Sequence, residues 1–184
     1  MILFVGLGNP TPDSHNNRHN IGFKIIDAIN QKFSLSKQKP KFKGLLTMGY
    51  IGNDKVYAIK PLTFMNNSGT CIRELIEYFK IDSSDIIVFH DDLDIEFGKI
   101  KTKFGGSDAG HNGIASLDKF IGKDYSRVRI GIGKPEKIKV NDFVLGDFNE
   151  DEKIQLDEMS KKIMSSLELL IEKKLELFSS KINN

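Results

Sequence analysis

Cysteine is nearly absent: Cys71 is the only one in 184 residues. No intramolecular disulfide can form, and a reducing compartment is expected. Long apolar runs are also missing, and none approaches the roughly 20 residues that a membrane-spanning helix needs. The first residues, Met1-Ile2-Leu3-Phe4-Val5-Gly6, lack a basic leader and are too short for a secretion signal. These absences point to a cytoplasmic protein that does not enter a membrane. Net charge is small as well, +2 from 27 Lys+Arg and 25 Asp+Glu. The total does not announce a polyanionic partner. Its distribution leaves room for one basic face, because Lys37, Lys39, Lys41 and Lys43 cluster, as do Lys99, Lys101 and Lys103. Acids gather later, from Asp147 to Glu158. On charge alone, two solvated lysine-rich segments are the simpler reading. No internal repeat or low-complexity stretch interrupts the chain.

What is present is ordinary in amount and unusual in arrangement. Hydrophobic residues make up 39% and charged residues 28%, as in soluble globular proteins. The length suits one domain, residues 1–184, with a sizeable core. Strand and helix patterns alternate. Ile2 to Val5 reads as a buried strand ended by Gly6 and Gly8. Ile21 to Phe33 carries apolar residues at helical spacing. Leu45–Ile51 and Lys55–Ile59, separated by Gly52-Asn53-Asp54, read as a hairpin. Ser68 to Phe79 reads as a helix with Ser68 as its N-cap. Asp85 to Phe89 and Arg127 to Ile132 read as strands, and Gly98 to Phe104 alternates like a half-exposed one. Asn112 to Ile121 is a short helix. A long C-terminal helix starts at Asn149, with Glu152 completing a capping box. Its apolar stripe runs from Leu156 to Leu175 and packs on the domain. The fold class is α/β: a single three-layer domain whose mixed, mostly parallel central sheet is flanked by helices.

Four loops at strand exits or helix starts are dense in polar residues: Asn9 to Asn20, Lys60 to Gly69, His90 to Asp94 and Gly105 to Gly113. In α/β proteins such loops converge where ligands bind. The set that would meet there is Asn9, His19, Asn66, Asp91, His111 and Asn112. A histidine oriented by a carboxylate is a general base. Asparagine amides can hold a carbonyl or a developing oxyanion. Ser68 is better explained as a helix cap and Cys71 as a small helix residue, which favours direct attack by water over an acyl-enzyme. His15 reads as merely exposed. A dinucleotide fingerprint after the first strand fails, because position 11 is Thr and Pro10 disturbs the turn. His90, Asp91, Asp92, Asp94 and His111 contain metal-binding residue types, but neighbours on a strand point opposite ways, so metal is not favoured. Gly105, Gly106 and Gly110 mark either a mobile loop or a phosphate-binding loop before the helix at Asn112.

These segments carry a resemblance. Gly6-Leu7-Gly8-Asn9-Pro10 with Arg18-His19-Asn20-Ile21-Gly22 is one. The others are KPLTFMNNSG (60–69), HDDLD (90–94), GG (105–106) with GHNG (110–113), and RVRIGIGKP (127–135) with FVLGDF (143–148). In order and spacing they resemble the bacterial peptidyl-tRNA hydrolase family. The resemblance implies a monomer without cofactor or metal that hydrolyses the ester between a peptide and the 3′-terminal ribose of tRNA. His19 would activate water and Asp91 would orient it. Asn9, Asn66 and Asn112 would position the peptide and scissile carbonyl, with His111, Phe64 and Ser14 assigned to substrate binding. Lys101, Lys103 and Arg129 would hold tRNA phosphates. Such recognition should read phosphate and shape rather than base edges. The chain departs from the family pattern at Thr11, Ser14 and Asn17, where Gly, Tyr and Thr are usual, and at Asp108-Ala109, where Gly is common. A different turn is expected at Thr11, and a stiffer loop before His111. An RNA-binding module without catalysis is the alternative, and the joint retention of His19, Asp91 and the three asparagines argues against it.

Overall fold

The computed structural model describes residues 1–184. Strands β1 (Ile2–Gly6), β2 (Lys39–Lys41), β3 (Gly44–Ile51), β4 (Asp54–Pro61), β5 (Ile86–Asp92), β6 (Ile100–Phe104) and β7 (Ser126–Gly131) form one sheet. Its order is β2-β3-β4-β1-β5-β7-β6. The pairs β4–β1, β1–β5 and β5–β7 are parallel, whereas β2–β3, β3–β4 and β6–β7 are antiparallel. All strands except β3 and β6 therefore share one direction, as the expected mixed and mostly parallel sheet requires.

Central strands β1 and β5 are buried along their whole length, as parallel strands covered on both faces must be. One face is covered by α1 (Ile21–Lys32), α5 (Glu150–Ile171) and α6 (Leu175–Asn183). The other carries α2 (Ser68–Phe79) and α3 (Asn112–Ile121). Helix α1 forms because Ile21, Ile25, Ile26 and Ile29 make a single apolar stripe, which the sheet buries. The short α4 (Val140–Val144) precedes α5. No helix is long and apolar enough to cross a membrane.

The glycines of the first motif serve packing. A Cβ on Gly6 would strike the Gly22 carbonyl, and one on Gly22 would strike the Leu7 amide. Only this backbone-to-backbone approach lets the start of α1 sit directly on the end of β1. It carries His19, in the single turn Arg18–Asn20 before α1, to the edge of the sheet.

The structure corrects several expectations. Ser68 is the first residue of α2 rather than its cap; its hydroxyl donates to the Met65 carbonyl at 2.8 Å. The turn Met65–Asn67 runs straight into the helix and leaves no capping position for it. Asp85 lies in a short turn before β5. The Lys-rich connection contains β2, whose exposed lysines and Pro40 suit a sheet edge. The expected long C-terminal helix is two helices. Lys173, at φ +61°, takes the left-handed conformation and breaks the chain between α5 and α6. α6 then folds onto β6, where Thr102 donates to the Leu175 carbonyl and Asn183 brackets the Ile100 amide and carbonyl. The Asn149–Glu152 capping box is present as expected.

Candidate active site

Asp91, the penultimate residue of β5, is 2% exposed. Its carboxylate lies between two imidazoles. His19 Nδ1 stands 2.8 Å and 2.9 Å from the two carboxylate oxygens, and His111 Nε2 is 2.8 Å from Oδ1. His19 arrives from the start of α1 and His111 from the N-cap of α3, so both faces of the sheet contribute. Burial alone would raise the Asp91 pKa. The charge and N–H donors of His111 and His19 more than reverse this and hold it well below the usual carboxylate range. Asp91 is therefore an anion that only accepts hydrogen bonds.

The tautomers follow from the partners. His111 Nδ1 accepts from the amides of Gly113 and Ile114 at 3.1 Å and 3.2 Å, capping α3. Its proton is on Nε2, aimed at Asp91. His19 gives its Nδ1 proton to the same carboxylate, which leaves a free lone pair on Nε2.

His19, Asp91 and His111 also offer ligand atoms within 4.8 Å of one another, a spacing that a metal ion could use. The chemistry of the donor set does not fit one. A metal on His111 Nε2 would require a proton on Nδ1, directly against the two backbone N–H groups that it now accepts. The helix cap thus selects the proton-bearing form of the site.

Asn9, just past β1, is fixed by its neighbours. Its amide donates to Asn20 Oδ1 at 2.8 Å and its carbonyl accepts from Asn20 Nδ2 at 2.9 Å. Its side-chain Oδ1 accepts from the Met65 amide at 2.8 Å. No hydrogen bond within the protein occupies the Nδ2 donors. A Cβ on Gly113 would strike Met65 sulfur, Leu7 and the His111 ring, so the second loop and the residue after β1 meet the fourth loop here. Asn66 and Asn112 are exposed at the starts of α2 and α3, with no hydrogen bond within the protein occupying their amides. Phe64 is 53% exposed at φ +61°, a strained position for a non-glycine residue. A cavity of about 190 Å³ opens beside the cluster, lined by His19, Asp91, His111, Asn112, the Asp108–Gly110 segment and α4 residues.

The remaining assignments divide. Lys101 pairs across strands with Arg129, and Lys103 with Arg127, which places all four side chains on one face of the β6–β7 edge. Both lysines are exposed. Arg129 is partly buried and donates to Asp92 at 2.9 Å. Ser14 is not brought to the cluster's hydrogen bonds; it is buried and bonds Thr11 at 2.6 Å, closing the Pro12–Ser14 turn. Thr11 is extended there, with φ −67°, which is why a side chain is tolerated. His15 is exposed. Burial pushes the Cys71 thiol up to about 12, so it is no nucleophile. Sequence reasoning missed Asn20, which holds Asn9. Its signal was its place beside His19 in the same motif. Arg18 was missed too: it reaches Glu152 and the Phe143 carbonyl and lies 4.3 Å over the Phe143 ring.

The sequence matches the profile of the family described as peptidyl-tRNA hydrolase over residues 3–184. It is 75% identical over 185 residues to the peptidyl-tRNA hydrolase of Pelagibacter ubique, covering 100% of both chains. It is 41% identical over 175 residues to that of Bacillus subtilis, covering 94% of this chain and 93% of the other. The crystal structure of peptidyl-tRNA hydrolase from Acinetobacter baumannii superposes with a TM-score of 0.92 at 34% identity, over 100% of this chain and 94% of that one.

Proposed function

The chain belongs to the peptidyl-tRNA hydrolase family, and we propose that it hydrolyses peptidyl-tRNA with His19 as general base. The observation that carries this reading is the Asp91 carboxylate held between His19 Nδ1 and His111 Nε2. Water bound near His19 Nε2 gives up a proton as its oxygen attacks the ester carbonyl. The carbonyl oxygen becomes an oxyanion within reach of amide donors. Asn9 is suited to that role because Met65 occupies its Oδ1 and leaves Nδ2 to donate. Asn66 and Asn112 hold the peptide. Collapse of the intermediate breaks the bond to the 3′-oxygen, which takes the proton from His19. Asp91 stays ionised and stabilises the imidazolium while it lasts. An activated ester held in place needs little more.

Lys101, Lys103 and Arg129 contact phosphates of the acceptor end. The reading includes action as a monomer, a single catalytic domain over residues 1–184, a cytoplasmic setting and no cofactor.

The test uses N-acetylated aminoacyl-tRNA and free aminoacyl-tRNA with chelator present. The wild type should release only the acylated amino acid. His19→Ala should lose about 10²–10⁴-fold in kcat while still binding tRNA. A mutant rate within a few-fold of wild type would remove His19 as the base.

A further inference from the structure

Arg127 takes no part in the chemistry above, yet it is among the most buried charges in the molecule, at 3% exposure. It forms no ion pair. Its Nε donates to His90 Nε2 at 3.2 Å, and its Nη1 donates to the carbonyls of Ser107 at 2.8 Å and Gly105 at 3.3 Å. Burial draws its pKa below the usual guanidinium value. A buried cation without a carboxylate partner is a poor stabiliser, and an apolar side chain of similar volume would pack at lower cost. Its geometry accounts for its presence. The planar fork reaches an imidazole and two carbonyls at once, which an ammonium on a flexible stem cannot do.

Those three partners all lead to the site. His90 Nδ1 donates to the Asp91 carbonyl at 2.8 Å, and the His90 ring stands edge-on to His111 with centroids 5.0 Å apart. Gly105 and Ser107 begin the loop that ends in His111 and Asn112. The Gly105 amide also donates to the Tyr125 carbonyl at 3.0 Å; beyond it the loop is held by short turns of its own, such as the Gly110 amide on Asp108. It also carries left-handed residues at Gly105, Gly106, Ala109 and Gly110, so local sequence does not fix its path. The Lys103 side chain lies against Gly106, where a Cβ would collide with it.

We infer that Arg127 is a positioning residue for the hydrolysis: by gripping His90, Gly105 and Ser107 together it sets where the loop delivers His111 and Asn112 to Asp91. This rests on the reaction proposed above. A purely structural arginine would affect melting and leave turnover intact at temperatures where the protein is folded.

The test is Arg127→Lys, which keeps the charge and loses the fork. It is assayed on N-acetylated aminoacyl-tRNA well below the melting temperature, and the imidazole N–H protons of His19 and His111 are followed by NMR. kcat should fall about 10–100-fold, with KM changed by less than about 3-fold. The His111 Nε2–H resonance should shift or broaden while that of His19 Nδ1–H stays. An unchanged kcat overturns the inference, and so does a fall in kcat with the His111 resonance in place. His90→Leu removes the acceptor of the guanidinium and carries the same expectations should Arg127→Lys not fold. If the wild type itself releases no acylated amino acid, the reaction is misread, and the His111 resonance still decides the role of Arg127.

Discussion

Two polar regions, one at the end of β5 and one along the β6–β7 pair beside it, are built on opposite plans. Around Asp91 the side chains are short, buried and tied to each other or to backbone at 2.8–2.9 Å. On the face of β6 and β7, Lys101 and Lys103 are long, exposed and without partners, whereas the arginines opposite them are held, Arg129 by Asp92 and Arg127 by His90 and two carbonyls. Under the reaction proposed above, the difference separates two tasks. A proton must move along one geometry, so its donors are fixed before substrate arrives. Phosphates are met by charge at a distance, and flexible ammonium groups serve varied RNA surfaces well.

The sharpest way to break the contrast is Asp91→Asn. The amide can donate to His19 Nδ1 and force the proton onto Nε2, the wrong tautomer for a base. kcat should fall about 10²–10⁴-fold with KM nearly constant, as single-turnover and steady-state assays would report. A change confined to KM would place Asp91 in binding rather than chemistry.

The second test sets Arg129 against Lys103. Arg129→Ala leaves Asp92, 7% exposed, without its cation. It should raise KM and destabilise the fold by about 1–3 kcal/mol in urea unfolding. Lys103→Ala should raise KM several-fold and lower the salt slope of tRNA binding by about 1, with stability untouched. Equal stability losses would mean that the exposed row is as fixed as the buried cluster.

Acid should reach the buried region alone. His90 is held well below its usual 6.5 by burial first, then by the facing His111 and Arg127. The unfolded chain takes up that proton near 6.5 and the folded chain does not. This contribution is complete above 6.5 and is lost as pH falls through and below it. Asp91, depressed in the folded state, adds a further loss below about 4. Urea midpoints at pH 7.5 and 5.5 should differ for the wild type and converge in His90→Gln. A parallel drop in both would assign the acid sensitivity elsewhere.

The smallest effect is expected in the loop between the regions. Ala109 stands at φ +48°, where glycine is at ease and a Cβ is not. Ala109→Gly should gain up to about 1 kcal/mol, seen as a slightly higher melting temperature. A loss would show that Ala109 makes contacts worth more than its strain.

Much of this was legible in the chain because the motifs are local. Asn9, His19, Asp91, His111 and Asn112 each lie beside a glycine or a strand end that announces its place, and six strand patterns with helical stripes among them specify the layers. The unread parts depend on distant partners. Nothing near Arg127 in sequence marks it as buried, since alternation with Lys101 and Lys103 across the sheet appears only once β6 pairs with β7. Asn20 looked like a neighbour of His19 until Asn9 came to meet it. The break at Lys173 has no glycine or proline to signal it. It exists because α6 gains more by covering β6 than by continuing straight.

That covering ties the timing of function to the direction of synthesis. Asn183 bonds both backbone groups of Ile100 across 83 residues of sequence. Every member of the Asp91 cluster has left the ribosome long before this latch is made. The strand bearing Lys101 and Lys103 is backed by α6 along its length, through Thr102 on Leu175 and through Ser179 and Asn183 on Ile100. Under the reaction proposed above, loosening α6 from β6 would therefore be felt first as weakened RNA capture, with the hydrogen bonds of the Asp91 cluster left in place.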